Sequence, residues 1–424
     1  MKYLLICIGL LCIFAFPVTI GAQEIVTVKL IKDIGKQASL DIKLKGEYLS
    51  LDSTINLKEG VTYNLTVKNG KIILSGNDIL QIMDGSVFLI PMRYDTDHYL
   101  EVNGRPYLGA MEFRLEDSAF IRPVNQLPVE DYLKGVVPFE VFPTWEIETL
   151  KAQALAARTY IYSHIHEEIN DTVEYQVYGG YEWSNKATKA VEETANEVIT
   201  YEGRLIEAFY SASNGGMTES NSNVWGGKPL RYFPIKEDQF DPKQPWEFSL
   251  HQIQQSLEEI NWENPNWWEE MEEKDEKIIQ NVSNWLKKNG YPGDIKILSF
   301  PSFTLSNDQY ESKRYKKGSI SIEFLHRLYD GTVMYELVVL KDTKLSVIRS
   351  MIGGTTLKSF LIHSLELDSG IYSVKGKGFG HGVGMSQWGA SVMGENDYCY
   401  LDIIRHYFPG TKVININDSN NATK

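Results

Sequence analysis

The chain has 424 residues, 43% hydrophobic and 23% charged, which is the make-up of a folded protein with a sizeable core and two or three structural units. A formal net charge of −14 excludes a general nucleic-acid binder, which needs a basic footprint. It does not exclude an anionic polymer held in a locally basic cleft.

Residues 1–22 read as an export segment. Lys2 supplies the positive start, residues 3–16 are an almost unbroken apolar run, and Pro17, Thr19, Gly21 and Ala22 precede the polar Gln23. Cleavage after Gly21 or Ala22 gives a secreted protein. Retention of residues 3–20, a run that approaches a bilayer span, gives an N-terminally anchored one. Either way the chain is expected in the cell wall or on the outer face of the membrane. Cys7 and Cys12 fall in this segment, so Cys399 stands alone and neither an intramolecular disulfide nor a cysteine metal cluster can form. Cys399 reads as a small buried residue in the apolar stretch 398–404.

Residues 23–120 are expected to form a β-rich N-terminal unit. Stretches at 26–30, 40–44, 63–67 and 98–102 alternate apolar with polar, and Lys68-Asn69-Gly70 reads as a hairpin turn. A mixed α/β core is expected over 121–245 and 293–412, making the fold class α+β. Its principal helix is predicted over 144–168, capped by Thr144, with Leu150, Ala154, Ala157, Ile161 and Ile165 as one buried stripe. A second helix is expected at 186–196, followed by strands at 198–201 and 205–210. Residues 246–292 form an acidic, Trp-rich insertion: glutamates crowd around Trp262, Trp267 and Trp268 ahead of an amphipathic helix. Strands are predicted at 319–325, 332–340, 357–362 and 371–375, then a short helix from Ser386 and a polar tail over 413–424.

Three segments carry possible chemistry. Glu140 lies between Pro138 and Pro143 among Val136, Val137, Phe139, Val141, Phe142 and Trp145. An isolated carboxylate in apolar surroundings has its neutral form favoured, which suits a general acid. Capping of a nearby helix, or pairing with Lys134, is the alternative. On the long helix Lys151 and Arg158 share one flank and Gln153 and Tyr160 the other, at the edge of the buried stripe. The second segment, Tyr210 to Glu219, brings small hydroxyls (Ser211, Ser213) and a glycine pair after a strand. The third, Gly376 to Ala390, has glycines at every second position around His381 and ends at a helix capped by Ser386. Its spacing does not fit the dinucleotide fingerprint. The scattered histidines contain no metalloprotease motif, so neither a metal nor a cofactor is expected.

Together these segments resemble the family of stage II sporulation protein D and the amidase enhancers. Tyr132-Leu133-x-Gly135-Val136, Glu140, Trp145, Glu148 and the run Leu150 to Tyr160 match its first signature, and Gln176-Val177-Tyr178, Tyr210 to Glu219 and Gly378 to Ala390 match the later ones. Val141, Pro143 and Glu146 depart from its usual pattern around Glu140. The resemblance implies a peptidoglycan lytic transglycosylase acting on denuded glycan strands, with Glu140 as its single catalytic acid/base; the alternative is a non-enzymatic, glycan-binding amidase enhancer. It implies glycan contacts from Lys151, Gln153, Arg158, Tyr210, Ser211, Ser213, His381, Ser386 and Gln387, with Lys375 and Lys377 available for lactyl carboxylates. Implied partners are glycan strands, a cell-wall amidase and sporulation membrane proteins. Some relatives resemble zinc proteins, but this chain has no cysteine between Cys12 and Cys399, so no zinc is carried over.

Overall fold

A computed structural model describes residues 24–77, 79–83 and 85–419, and the expected export segment lies outside them. The fold is α+β. Two six-stranded sheets dominate the N-terminal part. In the first, the spatial order is Glu168–Asn170, Ile25–Lys29, Phe120–Pro128, Ala110–Glu116, Val87–Pro91 and Tyr48–Ser50. In the second it is Ile79–Met83, Lys71–Gly76, Thr62–Lys68, Ser39–Lys45, Tyr99–Val102 and Arg105–Leu108. Alternation sets which face is buried: Leu40, Ile42 and Leu44 point inward from Ser39–Lys45. Asn69 and Gly70 both take positive φ (52° and 68°), as a two-residue turn between Lys68 and Lys71 requires.

The expected boundary at 120/121 is not a structural one. Strand Phe120–Pro128 begins there, pairs with both Ile25–Lys29 and Ala110–Glu116, and runs directly into helix Val129–Lys134. One core contains Val26, Tyr63 and Leu100 of the sheets together with Leu133, Leu150 and Ile161 of the helices. Alternation identified the strands but carries no information about which elements share a core.

The long helix spans Ile147–Ser163, shorter than predicted at both ends, and Glu146 rather than Thr144 occupies its N-cap. From Thr149 to Ile161 every residue except Lys151 is buried. One side (Leu150, Ala154, Ala157) packs into the first core, and the other (Ala152, Leu155, Ala156) meets Ile199, Val383, Met393 and Ile403. The alanines allow close approach on both sides, so a helix that reads as singly amphipathic is central.

Residues 245–377 hold a further core, so the expected insertion at 246–292 is only the first part of a larger unit. Strand Pro245–His251 pairs with Ile371–Lys377, which also pairs with Ile362–Asp368. Lys317–Arg327 pairs with Asp294–Ser299, Phe303–Leu305 and Val333–Lys344. Helices Glu276–Lys288 and Leu345–Ile352 contribute Val282, Leu286, Ile348 and Met351 to a core with Trp246, Phe324 and Val374. Helix Leu345–Ile352 was not predicted, and the strand expected at 357–362 begins only at Ile362. Trp268 is buried beneath the Arg327 guanidinium, 4.6 Å from its ring, whereas Trp262 is exposed. The predicted polar tail starts inside a strand: Lys412–Asn415 pairs with Glu197–Tyr201. Cys399 is half-buried at the N-cap of helix Tyr400–Tyr407, its thiol donating to Asp402 at 3.1 Å. Among the described residues no helix is long and apolar enough to cross a membrane.

Candidate active site

Glu140 is the last residue of a single helical turn, Val137–Glu140, with Pro138 in its first positions and extended backbone resuming at Val141. The turn delivers the carboxylate to a point where separate segments converge. The Val177 N–H donates to Oε1 at 2.7 Å. The Gln387 amide, at the start of helix Gln387–Glu395, donates to Oε2 at 3.3 Å. The Tyr210 hydroxyl is also within reach and stabilises the charged form. Burial nevertheless wins and raises the carboxyl above its ordinary value, with the Val177 and Gln387 bonds and the nearby Tyr210 hydroxyl opposing it. The residue as a whole is half-buried, with its carboxyl at the buried end.

Aromatic residues adjoin Glu140 and Gln387 in the chain. Phe142, Trp145 and Trp388 form a cluster with ring centroids 5.1–5.9 Å apart, and Phe142 is 57% exposed, an unusual position for so large an apolar side chain. Phe139 lies flat against Gly179, where a Cβ would stand 2.3 Å from the ring. Three further carboxylates are engaged or placed elsewhere. Glu148 is held by Lys151 and by the Tyr400 N–H, both at 2.9 Å, and Asp131 by Lys134 at 2.9 Å. Glu101 lies in the second sheet opposite Lys43. Among the described residues no cluster of His, Cys, Asp and Glu is arranged to hold a metal ion.

The residues expected to touch a ligand divide into two groups. Gln387 bonds Glu140 itself, Tyr210 favours its charged form, and Gln153 stands behind Gln387, its oxygen 3.5 Å from the Gln387 amide nitrogen. Gln153 is buried and its own amide nitrogen has no partner among the described residues, leaving a donor beside the site.

The remaining residues are placed differently. Arg158 is fully buried and grips Glu130 with two bonds (2.8 and 2.7 Å), while bonding Thr194 and the Val191 carbonyl. It cannot reach a ligand. Lys151 is locked between Glu148 and Glu193 at 2.9 and 2.8 Å. Lys375 faces Glu247 at 3.9 Å within the 245–377 unit. Ser213 and Ser386 both donate to the buried Asp241, and the Ser386 Oγ also caps its helix by accepting from Gly389. Ser211 accepts from the Gly382 N–H at 3.3 Å. Burial pushes the His381 imidazole down to about 4, and the neutral ring accepts from the Val383 N–H and bonds the Tyr210 backbone. These groups hold the segments that present Tyr210 and Gln387.

Two contributors were given no role in the sequence reading. The Val177 donor is a backbone group, which no side-chain pattern reveals. Asp241 gathers Ser213, Ser386 and the backbone N–H groups of Asn214 and Lys243, while Asp238 takes Asn214 and Tyr407. The signal available was two aspartates three apart, Asp238 and Asp241, in a segment without apolar periodicity.

The alternating glycines serve chain crossing. Ser213 and Phe379 exchange backbone hydrogen bonds at 3.1 and 2.8 Å. At Gly382 φ is +76°, and a Cβ would lie 2.1 Å from the Arg314 guanidinium, which is itself fixed by the Asn214 and Met217 carbonyls. Gly382→Ala is therefore expected to destabilise the protein by about 1–3 kcal/mol, measured by denaturant unfolding. An unchanged midpoint would show that Arg314 yields freely.

A family model described as SpoIID, stage II sporulation protein, matches residues 118–201. The chain is 35% identical over 382 residues to the amidase enhancer of Bacillus subtilis (strain 168), covering 89% of this chain and 53% of that protein. It thus spans about half the length of that relative. It is 29% identical over 413 residues to an uncharacterized protein of Brachyspira hyodysenteriae, covering 94% of this chain and 95% of that one. Against the stage II sporulation protein D of Bacillus amyloliquefaciens the identity is 26% over 313 residues, 68% of this chain and 75% of the relative.

Proposed function

The chain carries a SpoIID domain, that of the stage II sporulation proteins, and from this premise we propose that it is an exported lytic transglycosylase that cleaves peptidoglycan glycan strands. The observation that carries the reading is Glu140: one carboxyl on a half-buried residue, raised by burial, supplied with hydrogen-bond donors and flanked in the chain by aromatic residues. Hydrolysing glycosidases ordinarily use two carboxylates across the scissile bond. A single one suffices when the attacking group belongs to the substrate. Protonated Glu140 donates to the leaving glycosidic oxygen as the bond from C1 to that oxygen breaks. The C6 hydroxyl of the same sugar attacks C1, and the Glu140 carboxylate takes up its proton. The 1,6-anhydro ring closes, no water is consumed, and Glu140 regains its starting state. Between the two transfers the carboxylate is stabilised by Val177, Gln387 and Tyr210. Phe142, Trp145 and Trp388 offer apolar faces for sugar rings.

The relatives' names support a role at the cell wall or in sporulation, and the amidase enhancer favours a second reading. In that reading the same residues bind glycan without cutting it, and the protein assists a separate amidase. Peptidoglycan with and without prior amidase treatment separates these possibilities. The transglycosylase is expected to release more product from denuded strands. Equal release from peptide-bearing strands counts against denuded substrate, and stimulated amidase activity with no glycan cleavage supports the enhancer.

A further inference from the structure

Trp183 has no role in the chemistry above, and 54% of its surface stays in water. It is nonetheless held: the Tyr181 and Tyr99 rings meet it edge-on, at centroid distances of 4.4 and 5.1 Å. A large ring already ordered by the protein and left half in solvent is a pre-organised contact surface. Just before it in the chain, Tyr181 and Glu182 line an open cavity of about 360 Å³, whose other walls are Phe139, Gly179 and the turn 103–106. That volume falls within the range of small-ligand sites. The lining is mixed. Phe139 (36% exposed) and Tyr181 are aromatic, while Arg105 and the exposed Glu182 are charged. The cavity and the Glu140 carboxyl are built on the same two segments. Phe139 directly precedes Glu140. Gly179 follows, by two residues, the Val177 N–H that holds the carboxyl at 2.7 Å, and two residues of chain span at most about 7 Å.

We propose that this cavity is a saccharide subsite, with Trp183 as the platform on which a sugar ring of the glycan strand stacks, away from the bond at Glu140. The proposal deepens the reading of Glu140 as the centre of a glycan site and rests on it. Sugars match the lining because they present apolar C–H faces rimmed by hydroxyls. The indole takes such a face by dispersion and burial, while Glu182 can accept from hydroxyls. Arg105 bonds Asp33 through one guanidinium nitrogen, and a guanidinium carries five donors, so further ones remain for a hydroxyl or a lactyl carboxylate. A platform of this kind contributes binding and takes no part in proton transfer.

The test is the affinity of the Glu140→Gln chain for denuded glycan strands, measured where cleavage does not deplete the ligand. Trp183→Ala is expected to weaken binding by about tenfold or more, and Trp183→Phe by less, because a ring face remains. Trp262, 52% exposed in the acidic segment, is the control, and Trp262→Ala should leave the affinity unchanged. A second measurement does not depend on how the alanine variant folds. The indole N–H NMR signal of Trp183, assigned by its loss in Trp183→Phe, should shift as denuded strands are added, while that of Trp262 stays in place. Unchanged affinity in folded Trp183→Ala, or an unmoved Trp183 signal, overturns the proposal, as does an equal loss in Trp262→Ala. A loss confined to peptide-bearing strands assigns the platform to the stem peptide and overturns the saccharide subsite. Glycan binding that survives without Trp183 removes this inference alone, whereas a wild-type chain that binds no glycan removes the reading of the Glu140 site with it.

Discussion

Glu140→Gln is expected to lower glycan cleavage by about 100- to 10,000-fold, the usual cost of losing general acid–base assistance, while the fold stays intact. Glutamine retains an acceptor for the Val177 N–H, and the Gln387 amide can turn over to meet the new nitrogen. It can hydrogen-bond a glycosidic oxygen but cannot hand it a proton. Stability should carry a pH signature. Burial raises the Glu140 carboxyl in the folded protein, so the folded state holds this proton more tightly than the unfolded chain. That contribution is fully present below the ordinary carboxylate value and is lost as pH rises through the raised one. Glutamine has no such loss. The variant should therefore melt at or above the wild-type temperature at neutral pH, with the gap closing as pH falls through the carboxylate range. The wild-type rate should decline as pH rises through the raised value, because the acid is then spent in its charged form. Wild-type cleavage by the glutamine variant would remove Glu140 from the chemistry.

Arg158→Met is expected to be the most destabilising of the substitutions considered, by about 3–5 kcal/mol as for a broken buried ion pair. The lower end applies, because the Glu130 side chain keeps 25% of its surface in water and can be partly re-solvated. The loss also strands the Val191 carbonyl and the Thr194 hydroxyl, which Arg158 now satisfies. Lysine retains the charge but not the two-pronged grip, so Arg158→Lys should fall between the two in denaturant unfolding. A substrate-contacting arginine predicts the reverse pattern: near-native stability and weakened glycan binding in both variants.

Glu140 was conspicuous in the sequence because a carboxylate among Val137, Phe139, Val141 and Phe142 departs from the polar company such groups usually keep. The Asn69-Gly70 turn and the Ser386 cap were equally local, each specified by a residue type whose backbone or side-chain preference is strong. Arg158 was misread as a ligand contact because spacing along one helix reveals a flank, whereas burial on both sides depends on the distant segments holding Ile199, Val383 and Ile403. For the same reason Ser213 and Ser386 resembled ligand groups. Their partner, Asp241, lies 28 residues from one and 145 from the other. The 245–377 unit was divided too early because the abrupt change in composition at its acidic start does not mark where its core closes, on Val374.

Mass spectrometry of the ends produced from denuded glycan strands, with Glu140→Gln run in parallel, tests the central claim most directly. The account predicts 1,6-anhydro ends from the wild type and essentially no cleavage by the variant. Reducing ends would mean that water attacks and that a second carboxylate participates, and undiminished cleavage by Glu140→Gln would contradict the assignment of the acid.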